Sequence, residues 1–200
     1  MNSRRKQDDC RSGRRQEAGF SLVELLIVCI ILAIISAIAI PNIMQMNTNY
    51  KLDGGGHAVA SLLQQARMQA VKTNVPVYAS FDPNAKVFYV NSNPQTAYVA
   101  GNPDVALPGG ITFTGTPSNH TQLDTYVGGT PQLGGAIGFN ARGLPCTTTN
   151  GGNPAVCTSP TSGFEWFIQN ANGGWEAITV TPAGRIKCWR LSSASSGTWQ

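Results

Sequence analysis

Among the 200 residues of this chain, Glu24 sits where an acid is hardest to justify. Residues 25–40 are apolar throughout except for Ser36, and 20–40 together make 21 residues. As a helix they reach about 30 Å, enough to cross the core of a bilayer. The run is apolar on every side, so it has no stripe to turn towards a soluble core. A carboxylate near the start of such a segment costs roughly 2.5–3.5 kcal/mol if carried to the membrane centre on insertion scales. It needs a partner, and the preceding residues offer one. A cut between Gly19 and Phe20 would create an α-amino group on Phe20, four residues before Glu24 and on the same helical face. An ammonium and a carboxylate attract strongly in low dielectric, whether in one chain or between neighbours. The apolar h-region of an ordinary secretory signal is about 7–15 residues and precedes a small-residue cleavage site. Here the glycine comes before the apolar run.

The second chemically suggestive stretch is Arg185-Ile186-Lys187-Cys188-Trp189-Arg190. In a strand, Arg185, Lys187 and Trp189 share one face, and Ile186, Cys188 and Arg190 the other. With Ile186 and Cys188 on the core, two cations and an indole point outward. Cations track phosphates and an indole stacks on an exposed base. Arg190 at the strand end and Arg142, if its turn lies nearby, would extend the patch. The competing reading is a solvated edge strand blunted by charge. For catalysis the chain offers little. His57 and His120 lie among Gly and Asn residues, and no nucleophile–histidine, paired-carboxylate, phosphate-loop or metal-ligand arrangement stands out. The expectation is a protein that is not an enzyme and carries no cofactor or metal.

The elements that position these residues follow from composition. Charged residues are only 12%, and 22 residues are glycine, which suits a loop-rich β domain better than a helical bundle. The first 19 residues carry six bases (Arg4, Arg5, Lys6, Arg11, Arg14, Arg15) and three acids, a net +3. The other 181 carry only +1, so overall basicity alone does not argue for nucleic acid. The bases before the apolar run place that end in the cytoplasm by the positive-inside bias. The remainder then lies outside the inner membrane, in the periplasm of a Gram-negative cell, where disulfides persist. Cys10 falls in the leader and Cys29 in the membrane. Of Cys146, Cys157 and Cys188 at most one pair forms, and Cys146–Cys157 is preferred because it closes a short Gly/Thr/Pro-rich loop.

Pro41 lacks an N–H and predicts a kink. An amphipathic helix over 42–73 follows, interrupted near 53–57, where three consecutive glycines cost about 1 kcal/mol each relative to Ala. Its apolar stripe is Val59, Leu62, Leu63, Ala66, Ala70 and Val71, which should pack on a sheet. Residues 74–190 read as a β domain. A hairpin is expected from 75–81 and 86–90 across Asp82-Pro83-Asn84-Ala85, with further strands at 111–114, 136–140, 164–169, 175–181 and 185–190. Residues 91–110 and 115–135 read as loops, and 191–200 as a flexible Ser/Gly-rich tail.

Taken together, the basic leader, Gly19-Phe20, Ser21-Leu22-Val23-Glu24, the apolar run and Pro41 resemble the class III signal of type IV pilins and type II secretion pseudopilins. The resemblance implies cleavage after Gly19 by a membrane prepilin peptidase, N-methylation of Phe20, and a need for Glu24 in assembly. The soluble part resembles the GspH/FimT branch. The residues that carry this are Leu63-x-x-Ala66-Arg67-x-x-Ala70-Val71, Asn74-Val75-Pro76-Val77, Phe139-Asn140-x-Arg142-Gly143 and Ile178-Thr179-Val180-Thr181-Pro182-x-Gly184-Arg185-Ile186. The implied fold is α+β and pilin-like, a long N-terminal helix packed on a C-terminal antiparallel sheet domain. The implied function is that of a minor subunit of a type II secretion pseudopilus or a type IV pilus, with other pilin or pseudopilin subunits as partners. An alternative role in that branch is DNA binding during transformation through a Gly-Arg-x-Arg motif. Here that motif reads Gly184-Arg185-Ile186-Lys187, and Lys lacks the bidentate fork of Arg.

Overall fold

The computed structural model describes residues 20–93, 97–148, 157–191 and 197–200. Gly19, Cys10 and the rest of the basic leader lie outside them. The chain forms two compact units, Met1–Asn42 and Ile43–Gln200.

Helix α1 (Leu22–Thr73) is 52 residues long and contains Pro41. It ends where Asn74 turns to a left-handed φ of 54°, a conformation Asn tolerates, with Pro76 two residues on. The expected break at 53–57 is absent, because residues 53–57 are helical. Tertiary packing overrides the low propensity of the glycines. Gly55 lies against Pro108 and Ile168, and a methyl group at Gly56 would collide with the carboxyl of Glu176. Gly55 and Gly56 give the helix a flat side where Ile168 and Glu176 of the second sheet approach it, whereas Gly54 faces open space. The buried face of α1 is Leu52, Val59, Leu62, Leu63, Ala66 and Ala70. Val71, expected on this stripe, is instead half exposed.

The strands are β1 (Val77–Asp82), β2 (Val87–Asn91), β3 (Asp104–Ala106), β4 (Ile111–Phe113), β5 (Gln132–Leu133), β6 (Ile137–Phe139), β7 (Pro145–Thr148), β8 (Cys157–Thr158), β9 (Phe164–Asn170), β10 (Trp175–Val180) and β11 (Ile186–Arg190). A second helix, α2 (Thr121–Val127), lies between β4 and β5. A six-stranded sheet runs β3-β2-β1-β6-β7-β8, and a second sheet runs β11-β10-β9-β4, with β5 added parallel to β9. The neighbours along these two orders pair antiparallel. Asp82 shapes the β1–β2 turn by accepting hydrogen bonds from the N–H groups of Asn84 and Ala85. Asn170 does the same for the β9–β10 turn through the N–H groups of Asn172 and Gly174. Cys146 and Cys157 are disulfide-bonded across β7 and β8, and Cys188 keeps a free thiol.

One core joins α1 to both sheets. It contains Val59, Leu63 and Ala66 from α1, Phe88 from β2, Phe139 from β6, Trp166 and Ile168 from β9, and Ile178 and Val180 from β10. A smaller cluster lies on the opposite face of the second sheet and holds Leu123 of α2, Phe167, Ala177, Leu191 and Trp199. Trp199 is only 3% exposed. This corrects the expectation of a flexible tail over 191–200 for its last residues. The Trp199 indole N–H donates to the Asn119 carbonyl, and the backbones of Arg190 and Gln200 exchange two hydrogen bonds. The loop expected over 115–135 likewise contains α2, closed by Gly128 in the left-handed conformation.

Candidate assembly segment and basic strand

Phe20 lies two residues before α1 and is 82% exposed, and Glu24 lies in the first helical turn. Every large apolar side chain from position 22 to 40 is exposed, and no residue of the most apolar window is buried. With a mean hydropathy of 3.0 over that window, the segment is long and apolar enough to cross a membrane. Water is an unfavourable environment for such a surface, at roughly 25 cal/mol per Å². It requires lipid or the helices of other subunits. Among the described residues no ion pair reaches Glu24.

The stretches that resemble the GspH/FimT branch meet at one place. Asn140 accepts hydrogen bonds from the N–H groups of Arg142 and Leu144 and so forms the β6–β7 turn. Gly143, at φ 74°, lies against Arg67 and Val71 of α1. Gly184, at φ 81°, lies against the Gly143 carbonyl, where a Cβ would come within 3.2 Å of that oxygen. The Arg67 guanidinium donates to the Gly184 carbonyl at 3.1 Å. These residues clamp a turn from each sheet to the helix. A side chain at either glycine would be strained by its positive φ as well as crowded. Most of the motif thus has a structural purpose.

The cations of the basic strand are not equivalent. Arg142 and Arg185 are exposed, and their turns adjoin through the Gly143–Gly184 contact. Ile186 and Cys188 pack against the main core. Trp189 departs from the sequence-based expectation of an open outward indole. It is half-buried in the smaller cluster. Its N–H donates to the Thr179 hydroxyl at 2.9 Å, and it meets Tyr126 of α2 edge-on at 4.8 Å. The Lys187 ammonium lies 3.3 Å from the centre of the indole ring. Cation–π contact and burial therefore occupy the surface on which a base would stack. The alternation of residues assigned the face, but α2 covers that face. Arg190, at the strand end, is exposed and sits opposite Glu176 in the ladder.

Glu176 escaped notice in the sequence. It shares the core-facing side of β10 with Ile178 and Val180 and is 2% exposed. Burial, and secondarily the nearby Asp53, push its carboxyl up to about 8, while Arg190 pulls it back. The Cys188 thiol, hydrogen-bonded to the Gly56 carbonyl, is pushed up to about 12 by burial and by Glu176 and Asp53. It is a half-buried, protonated thiol rather than a nucleophile. Nothing in this joint marks it as a reaction site.

Comparison with known proteins agrees with these features. Residues 14–40 match the prokaryotic N-terminal methylation motif, and residues 56–197 match the family described as type II transport protein GspH. The second match covers well over half of the chain, which therefore belongs to the GspH family and is a component of a pilus or pseudopilus. No curated protein gives a match. Among solved structures, the type IV minor pilin FimU of Pseudomonas aeruginosa is similar at 14% identity, over 75% of this chain and 94% of that one, with a TM-score of 0.45.

Proposed function

We propose that this chain is a minor subunit of a type II secretion pseudopilus or a type IV pilus, anchored in the inner membrane with its N-terminus cytoplasmic and its β domain periplasmic. A prepilin peptidase removes residues 1–19 and methylates Phe20. The subunit then enters the filament when its apolar helix leaves lipid for the helices of its neighbours, with Glu24 paired to the Phe20 amine of an adjacent subunit. The observation that carries this reading is the exposed apolar surface of residues 22–40, with one acid at its head. The function is assembly, and no catalytic role is assigned to any residue.

Glu24→Ala tests it. The variant should insert into the membrane as well as the native chain or better, since a costly charge is gone. Its incorporation into sheared filaments, read by quantitative immunoblot, should fall at least about tenfold, the effect of losing about 1.4 kcal/mol of pairing. Incorporation at the native level would contradict the role of Glu24.

A DNA-binding form of the same subunit is favoured by one observation, the exposed Arg142 and Arg185 on adjoining turns. With Trp189 covered, only phosphate contacts remain. Binding of fluorescent duplex by the full chain in detergent should then be weak, with a salt slope of log K of about −2 to −3 for two or three contacts. Arg142→Gln with Arg185→Gln should abolish it. Equal binding by that double variant would remove these residues from consideration.

A further inference from the structure

We propose that His120, Asp124 and Glu165 form a binding site for a divalent transition-metal ion, zinc being the best matched, which fastens α2 to β9. His120 immediately precedes α2 and Asp124 lies one turn along it. Glu165 is on β9, on the side opposite the main core. One ligand atom from each of the three residues lies within 4.8 Å of the others. His120 Nδ1 is 2.9 Å from Asp124 Oδ1 and 4.0 Å from Glu165 Oε2.

The observation that turns this cluster into a site is Glu165 itself. It is 0% exposed, and neither carboxylate oxygen has a hydrogen-bond partner. Buried carboxylates are retained when they are paired or bound to a metal, because desolvation is otherwise uncompensated. A cation would supply the missing partner.

The donor set selects the ion. One imidazole nitrogen with two carboxylate oxygens suits a borderline metal such as zinc, whereas calcium and magnesium prefer all-oxygen shells. Three protein ligands leave a fourth position for water. At zinc bond lengths of about 2.0–2.2 Å, tetrahedral ligand atoms lie about 3.4 Å apart. The His120–Asp124 contact would open, and the His120–Glu165 distance close, by about half an ångström each. His120 and Asp124 are each about a quarter exposed, and a cleft of about 420 Å³ reaches Glu165 between Phe113, Thr116, Leu133 and Phe167. Both give the ion a way in. The sequence concealed the site because Glu165 is remote from His120 and Asp124 along the chain.

The test uses the full chain in detergent, stripped of metal with a chelator and titrated with Co²⁺ as a spectroscopic probe, then with Zn²⁺. The expected result is one equivalent of Co²⁺ per chain with visible bands of a four-coordinate N/O site. Zn²⁺ should displace it, and either ion should raise Tm. His120→Gln and Glu165→Gln should each abolish the bands and the shift in Tm. Glu165→Gln without metal should be at least as stable as the native chain, so its loss of binding is not a loss of fold. His120→Gln, at a part-exposed position, preserves the test if Glu165→Gln folds poorly. The proposal is overturned if the native chain shows neither bands nor stabilisation, or if binding survives in both variants. A near-ultraviolet thiolate band, marking Cys29 or Cys188 as the ligand, would also overturn it.

Discussion

Gly56 and Glu176 show how a single pair of residues governs the joint between helix and sheet. Helix propensity alone makes Gly56 a weak point, yet the native helix needs a residue without a side chain there. Gly56→Ala should therefore destabilise the protein by about 1–3 kcal/mol, the size expected for overpacking against a buried carboxyl. An unchanged or raised Tm would contradict this. Glu176 also makes stability depend on pH. Its folded-state pKa of about 8 exceeds the ordinary 4.5. The folded state then holds a proton that the unfolded state has released, and stability falls as pH rises between those values. Below about 4.5 both states are protonated and the group contributes nothing, and above about 8 the full penalty applies. Asp53 of α1 and the Cys188 thiol and Arg190 of β11 face the same carboxyl, Arg190 opposing the shift. In Glu176→Gln the gain over the native chain should grow by about 1.4 kcal/mol per pH unit across that window. Thermal unfolding at about pH 5 and about pH 8 measures it, and an equal difference at both would refute the assignment.

At the scale of elements, some features were plain in the sequence and others were not. Period-two runs such as Val77-Tyr78-Ala79-Ser80-Phe81 located the central strands, and the helical spacing of Val59, Leu63, Ala66 and Ala70 located the buried face of α1. Elements with too little local pattern were missed. Helix α2 is seven residues long and buries only Leu123 and Val127, a single helical repeat. Trp199 stands alone beyond a Ser/Gly tract, and its burial depends on partners far away in the chain. The same cause explains the basic strand. Alternation predicts which side Trp189 faces, but the cover over it comes from α2 and could not be read locally. Trp199→Ala should cost about 3–5 kcal/mol, typical for a fully packed aromatic. Amide exchange in α2 should accelerate much more than exchange in β1 and β2. Equal acceleration in both regions would show that the tail does not hold α2 in place.

For the whole molecule, the two compact units divide the labour. Ile43–Gln200 is packed around one main core and a smaller satellite. Residues 20–42 leave their large apolar side chains exposed. Such a surface needs lipid or other subunits to cover it, and in the proposed assembly the amine that pairs with Glu24 exists only after cleavage. The most direct measurement is therefore intact-mass and N-terminal mass spectrometry of the protein recovered from cells. The account predicts a mature chain that begins at Phe20 and carries an added methyl group. A chain that retains residues 1–19, or one cut beyond Ile40, would contradict it.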